Sequence, residues 1–308
     1  MKSTTVRRVT LSIAVVTALT GLAACGTENG SSGKAGGTSL SHVSPVAALR
    51  SAEKSTDKAL SARVRSTTTI GNMMSMTANG TVAWGNGMRG DLTITYTGGK
   101  LVDAMRQAGS TSTEARYLPD AYYTKMSGKV AEQMGGKHWL RYGFDDLAKF
   151  SGGSGAYMKD QMQNTTPKQS VNMLLASGDV KKVGEEKVSG VRSTHYSGTV
   201  NVADLVGKNS NLSAGQLADV KKQLTQAGVT TETLDIWLND QDLLVKAAVK
   251  ADMATGPMTS TAYYTDYGVK VSVQKPPASD TRDVKDLMKS LGTPGSGNTA
   301  SGSDTSSS

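Results

Sequence analysis

Apolar and polar residues alternate along much of the second half of the chain, and this period of two predicts extended strands. The clearest case is a pair of segments, residues 234–238 and 243–251, joined by the turn sequence Asn239-Asp240-Gln241. Since successive side chains of a strand point to opposite faces, each segment places one face in a core and the other in water. Strands that follow one another through short turns predict antiparallel pairing.

The same alternation predicts strands elsewhere in the chain. In the first half, residues 64–70 and 92–96 alternate, and the Asn86-Gly87 turn signal leads into the second segment as a hairpin. Residues 259–267 and 269–273 predict two more strands, closed by Pro276-Pro277. Hydrophobic residues make up only 37% of the chain and Phe occurs twice, a composition that fits many strands better than packed helices.

Helices are predicted at four places. Ser44-Pro45 provides a capping hydroxyl and a proline at the first helical position, and an apolar stripe follows it at helical spacing. The stripe consists of Val46, Leu49, Ala52, Thr56 and Leu60. Capping sequences at Thr166-Pro167 and Ser213-Ala214 open two more helices, and residues 284–291 a last short one. Together these patterns predict an α+β fold, in which one broad antiparallel sheet is covered on one side by helices.

The N-terminus has the form of an export signal. Lys2, Arg7 and Arg8 precede an apolar stretch, residues 11–24, which is too short to span a bilayer and ends at the single cysteine of the chain, Cys25. The sequence Leu-Ala-Ala-Cys offers small residues before a cleavage point and a thiol that can carry a thioether-linked diacylglycerol. We therefore predict a signal peptide over residues 1–24 and lipidation of Cys25, with palmitate among the acyl chains. The alternative is a secreted protein with one unpaired cysteine.

Composition divides the remainder of the chain. The sequence Leu-Ala-Ala-Cys resembles the bacterial lipobox. Residues 25–43 comprise its cysteine and a stretch rich in glycine, serine and threonine, which predicts a flexible tether with a reach of about 25 Å. Residues 44–291 are long enough for one large domain, and residues 292–308 predict a disordered tail. With Cys25 lipidated, no disulfide can form, so the domain depends on burial of its core. We expect it at the cell membrane, on the extracytoplasmic face.

The charge pattern argues against nucleic-acid binding. The formal net charge of +8 falls to +5 once the three basic residues of the leader are removed, and no block of five or six basic residues occurs. Attraction to an anionic membrane surface is compatible with this balance but is only weakly indicated by it.

Candidate catalytic and metal-binding residues are few. His42 lies in the tether, and His138 and His195 lie far apart without the spacing of a metal site. The glycine-rich sequence of residues 152–155 lacks the spacing of a nucleophile elbow. The adjacent pairs Asp145-Asp146 and Glu185-Glu186 would point apart on a helix or strand. We expect no metal, no cofactor and no enzymatic activity.

The methionines say more about a possible binding site than the histidines and carboxylates do. Thirteen remain after the first residue, and six occur in two groups: Met73, Met74 and Met76, and Met158, Met162 and Met173. Because the side chain is unbranched and polarizable, methionine adapts to ligands of variable shape. Two interpretations stay open, namely gap filling in a core that has little Phe and the lining of a pocket for acyl chains.

The order of these features resembles a known family. The lipobox, the tether, the opening helix and the threonine-rich sheet are followed by Gly190–Tyr196 as a central strand and by the hairpin Asp235–Leu238 to Leu243–Lys246. In this order they resemble the LppX/LprG-type envelope lipoproteins, which are similar to the LolA-like carrier fold. The resemblance implies an incomplete barrel wrapped around helices, with an apolar cavity for the acyl chains of a lipid or glycolipid. It brings no catalytic residue.

We therefore predict a membrane-anchored, extracytoplasmic lipoprotein that binds and carries or presents a lipid or other hydrophobic ligand. The alternative is an interaction or sensor module of the same fold that regulates a membrane protein partner and holds no ligand. The ligand-binding residues are not assigned by the sequence. Whether residues 143–178 fill or cover the cavity also stays open.

Overall fold

The computed structural model describes residues 44–150, 158–163, 166–202, 204, 213–226 and 228–292. The helices are α1 (Pro45–Ala59), α2 (Lys100–Gln107), α3 (Gly128–Gln133), α4 (Phe144–Phe150), α5 (Pro167–Ala176), α6 (Ala214–Gln226) and α7 (Val284–Gly292). The strands are β1 (Ser61–Ile70), β2 (Met74–Ala83), β3 (Arg89–Gly98), β4 (Ser112–Leu118), β5 (Ala121–Lys125), β6 (Trp139–Gly143), β7 (Lys181–Val188), β8 (Val191–Asn201), β9 (Thr231–Asn239), β10 (Leu244–Met253), β11 (Gly256–Thr265) and β12 (Thr281–Asp283).

These strands form one curved sheet in the order β12-β6-β5-β4-β3-β2-β1-β11-β10-β9-β8-β7. The sheet is not closed into a barrel, because β12 and β7 lie at opposite edges. The predicted α+β class with a large curved sheet is confirmed. The sheet is mixed rather than wholly antiparallel, since the short strand β12 pairs parallel with β6. Residues 191–196 of the segment predicted as a central strand lie in β8, next to the edge strand β7.

The first hairpin differs from the prediction by one strand. Residues 64–70 lie in β1, but the antiparallel partner that follows them along the chain is β2, not the segment 92–96. The Asn86-Gly87 turn signal joins β2 to β3, which contains residues 92–96. No strand was predicted over β2, although its apolar residues (Met74, Met76, Ala78 and Val82) alternate with polar ones (Ser75, Thr77, Asn79 and Thr81). The predicted hairpin of the second half is present as β9 and β10.

Residues 269–273 were predicted as a strand and are not one. After β11 the chain leaves the sheet ladder: Gly268 donates its backbone N–H to Ser61 (3.0 Å), and the Ser61 hydroxyl donates to the carbonyl of Val269 (2.6 Å). Val273 then packs against the cluster of Leu118, Ala121, Tyr123 and Trp139. The alternation reflects a segment that crosses the outer face of the sheet, with side chains toward and away from it, before the chain enters β12.

The helices cover one face of the sheet and form its core. Helices α1 and α5 pack over β8–β11, where Leu49, Val171 and Leu174 are fully buried. A second cluster lies under β2–β6 and includes Phe144, and a third lies between α6 and the end of β10. In the predicted stripe of α1, Leu49, Ala52 and Thr56 are buried. Val46 and Leu60 are exposed, and Leu60 ends the helix in a left-handed conformation with φ of 61°.

Local signals at the helix starts act as predicted. The Ser44 hydroxyl accepts a hydrogen bond from the backbone N–H of Ala47, and Thr166 does the same for Gln169, each at 3.2 Å. At α6, Gln216 and Ser213 form a reciprocal capping box, in which the Ser213 N–H donates to the Gln216 side chain at 2.9 Å. The predicted last helix is α7. Helices α2, α3 and α4 were not predicted individually.

Candidate functional site

An apolar cavity of about 320 Å³ lies between the β1–β2 turn and α2. It is lined by Ile70, Met73, Met74, Lys100, Leu101 and Ala104. Apart from the ammonium group of Lys100, these side chains carry no polar atoms. The cavity therefore offers an apolar ligand a surface that is almost free of polar groups, with one cation beside it.

Backbone contacts hold the walls of this cavity together. The N–H groups of Lys100 and Leu101 donate to the carbonyls of Asn72 (3.1 Å) and Met73 (3.0 Å), so the first turn of α2 is tied to the β1–β2 turn. Gly99 makes this approach possible, because a Cβ at this position would lie 2.5 Å from the carbonyl oxygen of Met73. The sequence signal that could have indicated α2 is the Gly98-Gly99 pair that follows a predicted strand.

A second cavity of about 210 Å³ lies near the C-terminal end of α2. Apolar and aromatic groups from four elements line it, among them Tyr96, Met105, Val130 and Tyr142, together with hydroxyls such as that of Thr113. Burial raises the pKa of the Tyr142 phenol, and a side-chain hydrogen bond with Thr124 partly offsets this rise. A neighbouring cleft of about 360 Å³ is more polar and contains the Glu114–Lys125 ion pair, with 2.7 Å between the charged atoms.

The face covered by helices also has a half-buried strip between the first two clusters. Ser66 and Thr68 of β1 lie opposite Ala78 and Met76 of β2, respectively, and all four are half-buried. Within the part of the chain that the structure describes, none of these four belongs to a hydrophobic cluster. The centre of this face is thus lined by small, hydroxylated and flexible side chains.

The six methionines singled out by the sequence have different environments. Met73 and Met74 line the first cavity, whereas Met162 and Met173 pack against the two large core clusters. Met76 is in the half-buried strip, and Met158 is exposed. Met162 and Met173 thus contribute to core packing, and Met73 and Met74 line a cavity. The sequence left open whether residues 143–178 fill or cover a cavity. In the parts of this segment that the structure describes, Phe144, Val171 and Leu174 are buried and belong to the core.

The two histidines of the domain each pair with one carboxylate. His138 Nδ1 lies 2.8 Å from Asp280 Oδ1, and His195 Nε2 lies 2.8 Å from Asp235 Oδ1. The His195 ring is stacked on Trp237, with 4.2 Å between ring centroids. Among the described residues, no group of three or more His, Cys, Asp and Glu side chains could hold a metal ion.

The adjacent acidic pairs do not share a site. Asp145 pairs with Lys159 at 2.7 Å, while Asp146 lies 3.6 Å from Lys285. On β7, the Glu185 carboxylate accepts hydrogen bonds from Arg192 and Lys182, which lower its pKa to about 2. The next residue, Glu186, accepts a hydrogen bond from the indole N–H of Trp237. Each carboxylate is thus engaged separately.

Several predicted segments lie outside the described residues: the signal peptide (1–24), Cys25, the tether to residue 43, the loop 152–155 and the tail after residue 292. Of the helices that are described, none is long and apolar enough to cross a membrane.

Comparisons with solved structures return proteins of low sequence identity. LppX of Mycobacterium tuberculosis matches with a TM-score of 0.46 and 15% identity, over 75% of this chain and 98% of LppX. LprF of Mycobacterium bovis matches with a TM-score of 0.45 and 16% identity, over 75% of this chain and 96% of LprF.

Sequence comparison finds much closer relatives. No protein-family model matches the chain. A Streptomyces griseus protein, an "Uncharacterized 31.2 kDa protein" of the rplA-rplJ intergenic region, is 55% identical over 83% of this chain and 85% of its own length. A Streptomyces coelicolor protein with the name "Putative lipoprotein" is 42% identical over 95% of this chain and 100% of its own length. The chain therefore belongs to the same family as these two Streptomyces proteins.

Proposed function

We propose that this protein is a lipid-anchored, extracytoplasmic carrier that holds the acyl part of a lipid in the apolar cavity beside α2. It acts by binding and presenting the ligand, without catalysis, metal or cofactor. The observation that carries the proposal is the cavity formed by the β1–β2 turn and α2, with its apolar lining.

The dimensions of this cavity support a small or partly enclosed hydrophobic ligand. Ligand pockets generally have volumes of about 300–1,000 Å³, and the cavity volume of about 320 Å³ lies at the lower end of this range. Each methylene group removed from water contributes about 0.8 kcal/mol, so even a short length of acyl chain would gain several kcal/mol. Met73 and Met74 add side chains that adapt to chains of different shape.

Lys100 supports a specific class of ligand. It is the charged residue in the lining of an otherwise apolar cavity, so its ammonium can contact a polar headgroup while the acyl part occupies the interior. A carboxylate or phosphate headgroup complements this charge. We therefore propose an anionic lipid or a fatty acid as the ligand.

The membrane anchor rests on the lipobox. Cys25 follows a basic and apolar leader with small residues at the cleavage point. Two acyl chains on this thiol would hold the protein stably, whereas one chain binds only marginally. The name of the Streptomyces coelicolor relative agrees with such an anchor. The intact mass of the protein isolated from membranes tests it: we expect a diacylglycerol adduct, and we expect Cys25→Ala to release the protein from the membrane.

Ligand binding is tested with the mature chain carrying Cys25→Ala and with palmitate that bears a terminal fluorophore. Ala104 is exposed and lines the cavity, so Ala104→Trp fills the cavity without replacing a core residue. We expect this variant to weaken probe binding by about tenfold or more, equivalent to about 1.4 kcal/mol. Ala218→Trp on the exposed side of α6 is the matched control and should bind as the parent does.

Native mass spectrometry of the same protein completes the test. Co-purified lipid would support the carrier. Failure of the parent to bind the probe, together with an empty protein in the mass spectrum, would contradict the carrier and favour an interaction module of the same fold.

A further inference from the structure

The mouth of the cavity presents apolar side chains to solvent. Met73 is 48% exposed and Leu101 is 39% exposed, and both line the cavity together with Lys100. We call these three residues the rim. Exposed apolar groups that are gathered around an opening are typical of surfaces that contact another apolar phase, whereas single exposed residues need no explanation.

The rim is held rigidly in this position. Leu101 N–H donates to the carbonyl of Met73 at 3.0 Å, so the two exposed side chains belong to one hydrogen-bonded unit. The same turn is tied to the start of β11, because Gly71 N–H donates to the carbonyl of Pro257 at 2.8 Å. The backbone therefore holds these apolar side chains outward, and they are not exposed by fraying of a loose loop.

The rim carries a positive charge that is available to a partner. Among the described residues, no carboxylate lies within ion-pair distance of Lys100. Further along α2, Arg106 and Asp103 neutralise each other at 2.8 Å. An apolar pair beside one unpaired ammonium is complementary to a bilayer surface with anionic headgroups, since the apolar groups enter the acyl region and the ammonium stays at the headgroups.

We propose that the rim docks onto the surface of an anionic lipid bilayer, so that a lipid can move between the bilayer and the cavity without crossing water. This inference rests on the proposed function. The sequence adds a second argument for this occupant. A tether of residues 25–43 with a reach of about 25 Å, starting from a lipidated Cys25, would keep the domain close to a bilayer at all times.

The test is co-sedimentation of the mature Cys25→Ala protein with vesicles of phosphatidylcholine containing phosphatidylglycerol. The double variant Met73→Asp with Leu101→Asp should bind these vesicles about tenfold more weakly than the parent. The control is Val183→Asp with Val191→Asp, since these two valines are 57% and 43% exposed on the β7–β8 hairpin, away from the rim. The control should bind as the parent does.

A single charge variant gives an independent measurement. Lys100→Gln should weaken binding to the anionic vesicles and reduce its dependence on salt, because exposed charges are screened at higher ionic strength. It should leave binding to vesicles of phosphatidylcholine alone unchanged. Because Lys100 is exposed, this variant tests the rim even if the double variant is unstable. Unchanged vesicle binding by both rim variants, or an equal loss in the valine control, would overturn the proposal.

Two further outcomes separate this inference from the proposed function. Rim-dependent vesicle binding by a protein that takes up no fluorescent palmitate would support docking and contradict the carrier. Uptake of palmitate by a protein that does not bind vesicles would contradict docking and leave the carrier standing. Self-association of the parent in the absence of vesicles, abolished by the rim variants, would identify a second copy of the chain as the partner and overturn the membrane proposal.

Discussion

Replacement of Gly99 by alanine tests whether the cavity wall is built as described. Gly99 has φ of 84° and ψ of 176°, a region of the backbone map that residues with a side chain hardly enter. A Cβ at this position would lie 2.5 Å from the oxygen and 2.6 Å from the carbon of the Met73 carbonyl group. Both atoms belong to the backbone of the turn, so no side-chain rotation can relieve the contact.

The magnitude follows from these two effects. Forcing a residue with a Cβ into this conformation costs about 1–3 kcal/mol, and the contact with Met73 adds to that cost. For a domain of this size, each kcal/mol lowers the unfolding temperature by about 2–4 °C. The strained conformation alone should therefore lower the unfolding temperature of Gly99→Ala by about 2–12 °C, and the contact with Met73 should lower it further. The variant should also weaken binding of the fluorescent palmitate, because α2 can no longer approach the turn.

The matched control has the opposite expected sign. Gly215 lies in the first turn of α6, and a Cβ there would meet no atom within 4 Å. Gly215→Ala should therefore stabilise the protein by about 0.5 kcal/mol, since alanine loses less backbone entropy than glycine in a helix. Urea unfolding measures both variants. The reasoning is refuted if Gly99→Ala unfolds like the parent, or if both variants lose the same stability.

Two further predictions concern the core and the pH dependence of stability. Leu49→Ala should lower the free energy of unfolding by about 2–5 kcal/mol, because Leu49 is fully buried in the α1 cluster. Val46→Ala, on the exposed side of the same helix, should lower it by less than about 0.5 kcal/mol, and similar losses in urea unfolding would contradict the packing. Burial raises the pKa of Glu232, so the folded chain keeps this proton to higher pH than the unfolded chain does. Stability should therefore fall as pH rises from the ordinary carboxyl range through that raised pKa, and Glu232→Gln should stabilise the protein more at about pH 7 than at about pH 4. The same change at the exposed Glu132 should have no such effect, and equal behaviour of the two variants would contradict this assignment.

Much of the fold could be predicted because its signals are local. Capping at Ser44, Thr166 and Ser213 depends on residues three positions apart, and each cap is present. The alternation in β9 and β10 reports directly on a sheet with one buried face. The strand β2 was not predicted although its apolar and polar residues alternate, and the apolar residues Met74, Met76 and Ala78 are half-buried while Val82 is buried.

The candidate site could be predicted only in part. Met73 and Met74 were singled out as adaptable apolar residues, and they line the cavity. Lys100, Leu101 and Ala104 were not, because an eight-residue helix after a glycine pair has too few positions to show a period. The histidines and acidic pairs offered no site in the sequence, and in the structure each of these groups has its own separate partners.

The sequence alone determined the strand periodicity, the helix starts and the lipobox, since each depends on the identity of residues within a few positions of one another. The tertiary structure decided which residues of an apolar pattern are buried, as with Leu49 and Val46 of α1. It also decided that residues 269–273 cross the sheet instead of joining it, and that the turn at Met73 meets the start of α2. These outcomes depend on the order in which distant strands pair, and no local pattern specifies that order.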